Sequence, residues 1–304
     1  MAGRLTNREI GAIPVTQQNA TQNAARKSAL ISAAELNAHL QANEAIRAVD
    51  ATFYLPNENK DARALFEQTH IPGAQFFDID AVSTPSDLPH TAPTPEIFAS
   101  AVGALGIAAS DTVVVYDQKN MFSAPRGWWT FRLFGHRDVF VLNGGLPAWV
   151  AAGYGTASGA DRPGSVIYEV RADRRSDLLA DKDDVTAALA AGSSVADARP
   201  RGRFTGADKE PRPGMRSGHM PGAVSTPLSS LINSEGCLLP ASELSDAVAA
   251  VGRSGPVITT CGSGVTAAGL SLGLYELGID SRVYDGSWSE WGRESSGLPV
   301  VEGD

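Results

Sequence analysis

The sequence predicts an α/β fold built twice: two copies of one domain, each a central parallel sheet with helices on both faces. Three observations carry this expectation. The chain has 304 residues, 43% of them hydrophobic and 19% charged, a globular composition long enough for two domains of ordinary size, each with its own core. Short β-branched runs alternate with helical patterns, as in chains of βα units around a parallel sheet. Four landmarks also recur in the same order. IRAVDATF at Ile46–Phe53 answers to SVADARPR at Ser194–Arg201, and HIPGA at His70–Ala74 to HMPGA at His219–Ala223. TVVVYD at Thr112–Asp117 answers to PVITTC at Pro256–Cys261, and VFVLNGGLPAW at Val139–Trp149 to SRVYDGSWSEW at Ser281–Trp291. Matched positions lie 141 to 149 residues apart, and chance would not keep four landmarks in register.

The elements follow in order. Residues 1–27 are expected to form a polar tail outside the fold, 28–155 the first domain, 156–175 a linker within the Gly/Ser/Asp/Arg-rich stretch Ala151–Arg175, and 176–304 the second domain. In the second copy a helix is predicted over Asp183–Ala191, a strand over Ser194–Ala198, and a helix over Ala241–Val251 capped by Ser242. A strand at Val257–Thr260, a helix at Val265–Leu277 and a strand at Arg282–Asp285 complete it. Continuous apolar strands of this kind are buried on both faces.

Charge and cysteine usage narrow the function. A formal net charge of −9 argues against a nucleic-acid partner, since phosphate binding needs a basic surface. No stretch approaches the ~20 consecutive apolar residues needed to span a bilayer. Two cysteines, Cys237 and Cys261, provide neither a disulfide framework nor a metal quartet, and they imply a reducing compartment. The expected location is the cytoplasm, or the mitochondrion if the Arg/Lys-bearing tail acts as a transit segment.

In open parallel sheets ligands sit beyond the carboxyl ends of strands, and the residue after the Val257–Thr260 strand is Cys261. Cys261-Gly262-Ser263-Gly264-Val265-Thr266 joins that strand to a helix. Its glycines let successive N–H groups turn toward one point, an anion site that would stabilise a thiolate. The bland alternative is a small buried hydrophobe. Two other patterns fail. Gly262–Ala267 fits a dinucleotide fingerprint, but too few residues follow to complete a nucleotide-binding half. A cysteine phosphatase needs arginine where Ala267 stands.

CGSGVTA at Cys261–Ala267, DGSWSEW at Asp285–Trp291, HIPGAQFFDID at His70–Asp80, SAPRGWWTFRLFGH at Ser123–His136, GRF at Gly202–Phe204 and EPR at Glu210–Arg212 together resemble the tandem-domain rhodanese family, in its 3-mercaptopyruvate sulfurtransferase branch. The resemblance covers roughly residues 28 to 298. It implies two rhodanese-like domains of which only the second is catalytic, in keeping with Asp117 at the first-copy position of Cys261.

The resemblance further implies a Cys261 persulfide, charged by 3-mercaptopyruvate with release of pyruvate and discharged by a small thiol, a thioredoxin-like protein or cyanide. No cofactor or metal is called for. Loop residues Gly262, Gly264, Val265 and Thr266 would hold the sulfur anion, and Arg203 and Arg212 the substrate carboxylate. Ser263 would move protons together with His90 and Asp80 of the first domain. Arg201 and Arg216 stand near enough in sequence to add to the same positive pocket, and Trp288 and Trp291 to wall it. His70 and His219 read as structural turn residues. A thiosulfate:cyanide sulfurtransferase and a noncatalytic binding module remain as alternatives. Neutral Gly262 and Ser263 oppose the first, and the intact Cys261 loop opposes the second.

Overall fold

The computed structural model describes residues 27–304 except 43, 162, 173, 253 and 254. The proposed transit character of the tail therefore falls outside the described residues.

Two parallel sheets form, each with five strands among the described residues. The first comprises β1 (Leu30–Ile31), β2 (Ile46–Asp50), β3 (Gln75–Phe76), β4 (Thr112–Tyr116) and β5 (Val139–Leu142), ordered β1-β5-β4-β2-β3. The second comprises β6 (Leu179–Ala180), β7 (Val195–Asp197), β8 (Val224–Ser225), β9 (Val257–Thr260) and β10 (Ser281–Tyr284), ordered β6-β10-β9-β7-β8. The orders are identical once the numbering is shifted by five, so the duplication seen in the sequence is a duplication of topology. Asp50 pairs with Tyr116 and Asp197 with Thr260, so each acidic strand end lies beside the end of the strand that launches the central loop.

Helices of the first half are α1 (Ala33–Gln41), α2 (Ala62–Gln68), α3 (Pro95–Ala104), α4 (Ala124–Leu133) and α5 (Gly145–Ala151). Those of the second are α6 (Lys182–Ala190), α7 (Arg201–Thr205), α8 (Ala241–Ala247), α9 (Val265–Glu276) and α10 (Ser287–Trp291). Most predicted boundaries hold within a residue or two. The helix expected to run to Val251 ends at Ala247 instead. It starts after Pro240, which leaves Ser242 inside the first turn and without a capping bond.

The packing departs from one core per domain. The outer face of each sheet has its own apolar cluster, one around Leu36, Phe66 and Trp149, the other around Val185, Met220 and Trp288. A third cluster runs continuously from Val115 and Trp128 to Val257 and Leu272, spanning both halves. The reason is the character of α9, buried on all sides from Ala267 to Leu274, as a helix apolar all round must be. It packs against its counterpart α4, with the Trp128 and Tyr275 rings edge-to-face at 5.5 Å.

The segment predicted as a linker is not a free tether. Ala157 bridges to His70, Val166 N–H donates to Gly103 O at 2.9 Å, and Tyr168 is buried edge-on against Phe98. Among the described residues no helix is long and apolar enough to cross a membrane.

Candidate active site

The turn from β9 into α9 is set by its backbone. Gly264 caps α9 with φ +79°, and a Cβ there would stand 3.0 Å from Arg126 Nη1 and 3.1 Å from Asp285 O. Only glycine meets both demands without strain. The start of the loop is held by α10: Trp288 N–H donates to Cys261 O and Ser289 N–H to Gly262 O, each at 2.9 Å. Ser287 Oγ accepts the Cys261 N–H at 3.2 Å and donates to Tyr284 O at 2.7 Å, and Ser287 adopts φ +49° to do so. Cys261 is 2% exposed.

Cys261, Gly262, Ser263, Val265 and Thr266 face a cavity of about 480 Å³ between the halves. Phe53, Leu55 and Phe122 from the first half and Pro227, Leu228 and Ile232 from the second make its walls apolar, while Arg203, Arg212 and Lys119 bring charge. The two arginines differ. Arg203 donates Nε and Nη2 to Glu210 Oε2, and Glu210 is in turn held by buried Arg199 at 2.8 Å. Arg212 has no carboxylate within ion-pairing distance among the described residues. Its guanidinium lies 3.3 Å from His90 Nε2 and 3.5 Å from Ser263 Oγ. Burial pulls its pKa below the ordinary arginine value, against the pull of the nearby Cys261 sulfur. Arg212 is thus a partly desolvated cation turned toward an open space.

His90 arrives from the first half. It is 6% exposed, adopts φ +59°, and sets Nδ1 2.7 Å from Asp80 Oδ1. A guanidinium can only donate, so Arg212 requires the lone pair on His90 Nε2 and places the proton on Nδ1, facing Asp80. Hydrogen bonding to His90, with Arg212 also near, holds the Asp80 carboxyl below its usual range. The structure therefore brings Cys261, Ser263, Arg203, Arg212, His90 and Asp80 into one neighbourhood, the last two across the boundary between halves.

Other candidates are excluded by their partners. Arg201 pairs with Asp304 at the surface, and Arg216 is consumed by Leu298 O, Trp291 O and Ser296 Oγ. Neither faces the cavity. Trp288 and Trp291 do not wall it either: both lie in the outer core, their indole N–H groups bonded to Arg216 O and Pro299 O. His70 and His219 do act as paired turn residues, each stacked on a phenylalanine and bonded to its carbonyl.

Three contributors were not legible in the sequence. Ser287 occupies the place where the first half has Gly145, and Lys119 and Arg126 enter from the first half. The signal for Arg126 was an arginine set directly before Gly127, Trp128 and Trp129 near the start of α4, since a buried charge implies partners.

The first-half counterpart of the Cys261 loop is informative. Asp117 Oδ1 accepts N–H groups of Lys119 and Met121, and Oδ2 those of Ser123 and Ala124, at 2.7 to 3.1 Å. Four amides thus converge on one anion carried by the side chain at the strand end. Among the described residues no group of three or more His, Cys, Asp or Glu side chains could hold a metal.

Comparison with known proteins identifies the family to which the two domains belong. Residues 32–152 and 181–294 match the rhodanese-like domain. Human 3-mercaptopyruvate sulfurtransferase is 40% identical over 258 residues, covering 83% of this chain and 86% of the human protein. Thiosulfate/3-mercaptopyruvate sulfurtransferase 1, mitochondrial, of Arabidopsis thaliana is 37% identical over 306 residues, covering 92% and 80%. The crystal structure of SseA from Escherichia coli, described as a 3-mercaptopyruvate sulfotransferase with the rhodanese fold, superposes with a TM-score of 0.78 at 36% identity, over 87% of this chain and all of SseA. The chain belongs to the rhodanese family, as a tandem of two rhodanese domains. Within that family it is an enzyme of the sulfurtransferase branch in which the human and Escherichia coli proteins stand.

Proposed function

We propose that the enzyme moves sulfane sulfur from 3-mercaptopyruvate through a Cys261 persulfide to a thiol or cyanide. The Cys261 thiolate attacks the donor sulfur, and the bond from that sulfur to C3 breaks with its electron pair left on carbon as the enolate of pyruvate. Protonation releases pyruvate. The acceptor thiolate, or cyanide, then takes the outer sulfur and regenerates the Cys261 thiolate, which makes two displacements with a covalent intermediate between them. The observation that carries the reading is Arg212, a half-buried cation with no carboxylate within ion-pairing distance among the described residues, set over the cavity that Cys261 faces.

Arg212, with Arg203 beside it, receives the keto-acid carboxylate, for which a planar guanidinium is suited. Ser263 Oγ and His90 Nε2 both lie against Arg212 Nη2. His90 Nε2 takes the donor's thiol proton as the sulfur is transferred and passes it through the Ser263 hydroxyl to the enolate carbon, and Asp80 keeps the His90 tautomer fixed. The amides of Gly262, Gly264, Val265 and Thr266 hold the persulfide anion, much as the loop amides of Lys119, Met121, Ser123 and Ala124 hold the Asp117 carboxylate in the first half. No cofactor enters the scheme. The acceptor is a small thiol or a thioredoxin-like protein, and the setting is the cytoplasm or the mitochondrion. Pyruvate release from 3-mercaptopyruvate and thiocyanate formation from thiosulfate, measured on one preparation, test the reading. It predicts a clear preference for the first donor, and a preference for thiosulfate overturns it.

A further inference from the structure

We propose that Arg126 is a positioning residue of this site: one buried guanidinium from the first half that fixes the backbone of the Cys261 loop and that of His90 together. Arg126 is 2% exposed. A charge so buried is stable only with a full set of partners, and its partners come from three separate places. Nη1 donates to Gly264 O at 3.3 Å, and Nη2 donates to His90 O and to Asp285 Oδ1, the latter at 2.7 Å. The Trp129 ring lies 4.4 Å below it.

The two carbonyls share a property. Gly264 has φ +79° and His90 φ +59°, and each of these left-handed residues turns its carbonyl to the same guanidinium. For a non-glycine residue this conformation costs about 1–2 kcal/mol, so an outside partner must maintain it at His90. At Gly264 the consequence is electrostatic. With its oxygen bound to Arg126, the carbonyl cannot swing inward and present its negative end to a sulfur anion at Cys261. Asp285 completes the device, because its other oxygen accepts the Ala92 N–H at 2.6 Å. The Arg126–Asp285 pair thus grips residues 90 and 92 of one half and 264 and 285 of the other.

Arg126 does not line the cavity and does not touch the donor. Its loss should therefore lower kcat and leave KM nearly unchanged, a signature that loss of a donor-binding arginine would not give. The inference rests on the reading of Cys261 as nucleophile, and that reading fails separately if Cys261→Ser still transfers sulfur.

The test compares Arg126→Met, Arg126→Lys and Glu276→Ala by steady-state kinetics with 3-mercaptopyruvate and cyanide, below every variant's melting transition. Glu276 joins the halves away from the site, accepting from Ser28 Oγ and Ala29 N, so its variant reports weakened association of the halves alone. Arg126→Met is expected to lose about thirtyfold in kcat with KM within about threefold, and to slow iodoacetamide alkylation of Cys261 in the absence of donor. Arg126→Lys, which keeps the charge and reaches some of the acceptors, should recover at least about fivefold over Arg126→Met, while Glu276→Ala melts lower with kcat within about twofold of wild type. Retention of kcat within about threefold by Arg126→Met overturns the proposal. So does a Glu276→Ala variant that loses as much kcat as Arg126→Met. Should Arg126→Met not fold, Arg126→Lys against Glu276→Ala decides the matter: a kcat loss in the first alone supports it, and equal values overturn it.

Discussion

The two cysteines of the chain occupy opposite situations. Cys261 lies at the cavity floor, whereas Cys237 sits in the turn after Ile232, where its sulfur approaches Gly144 and burial raises its pKa. Cys261→Ser is expected to abolish transfer and leave the fold intact, because oxygen cannot store sulfane sulfur, while Cys237→Ser keeps most of the activity. Intact-mass measurement after donor treatment should show added sulfur in wild type and in Cys237→Ser only. The arginines should separate as well. Arg203 is already engaged by Glu210 and Arg212 is not, so Arg212→Ala should cost more than Arg203→Ala. Loss of a charge-assisted pair of roughly 1.5–3 kcal/mol corresponds to about ten- to a hundredfold in kcat/KM for Arg212→Ala. Transfer from thiosulfate, which has no carboxylate, should fall less; equal losses with both donors would mean that Arg212 supports the loop instead.

The loop from β9 into α9 was legible as an element because its cues are local: a buried β-branched strand, a cysteine at its carboxyl end and glycines before an apolar helix. Its neighbours were not. Trp288 and Trp291 follow the loop's motif in sequence, yet α10 turns them to the outer core and offers the loop its backbone N–H groups and the Ser287 hydroxyl. Ser242 looked like a cap, but Pro240 sets the start of α8. The rigidity of the loop can be tested at Gly264, with Gly153 as control, since Gly153 has φ +80° and open space where a Cβ would go. Both Ala variants incur the left-handed penalty of about 1–2 kcal/mol. Gly264→Ala must also displace Arg126 or the Asp285 carbonyl, and it alone should lose kcat, by about tenfold or more. Thermal melts and kinetics on the pair check this, and equal kcat for the two would show that the loop tolerates the shift. The same geometry bears on donor choice: a Cβ at Gly262 would lie 3.0 Å from Arg203 Nη2, so Gly262→Arg with Ser263→Lys would push Arg203 aside as well as add charge. A move of the kcat/KM ratio toward thiosulfate is still expected, measured with both donors.

At the scale of the whole molecule the duplication was fully legible, because four landmarks kept their order and spacing. What could not be read was the way the halves meet, which depends on α4 packing against α9 and delivers His90, Arg126 and Phe53 to a site centred in the other half. The duplication also makes a stability prediction, since equivalent positions differ in charge. Asp197 of β7 is paired with the buried guanidinium of Arg199, two residues on. In the first half Asp50 has Thr52 in that place, receiving its N–H and hydroxyl, and Gln118 Nε2 on the other oxygen. Without a cation, burial pushes the Asp50 pKa up to about 6. Between pH ~4 and 6 the folded protein then binds this proton more tightly than the unfolded chain, where an aspartate titrates near 3.9, so stability falls as pH rises through that window. Above pH 6 the ionised carboxylate carries a constant penalty of roughly 3 kcal/mol or less. Asp50→Asn keeps an acceptor for Thr52 and removes the charge, at the cost of a rotated Gln118 amide. It is expected to raise the unfolding free energy at pH 7.5 by about 1–2 kcal/mol, with the gain shrinking toward zero at pH 4.5. Denaturant melts at the two pH values provide the check: destabilisation of equal size at both would show that the hydrogen bonds of Asp50, and not its buried charge, dominate.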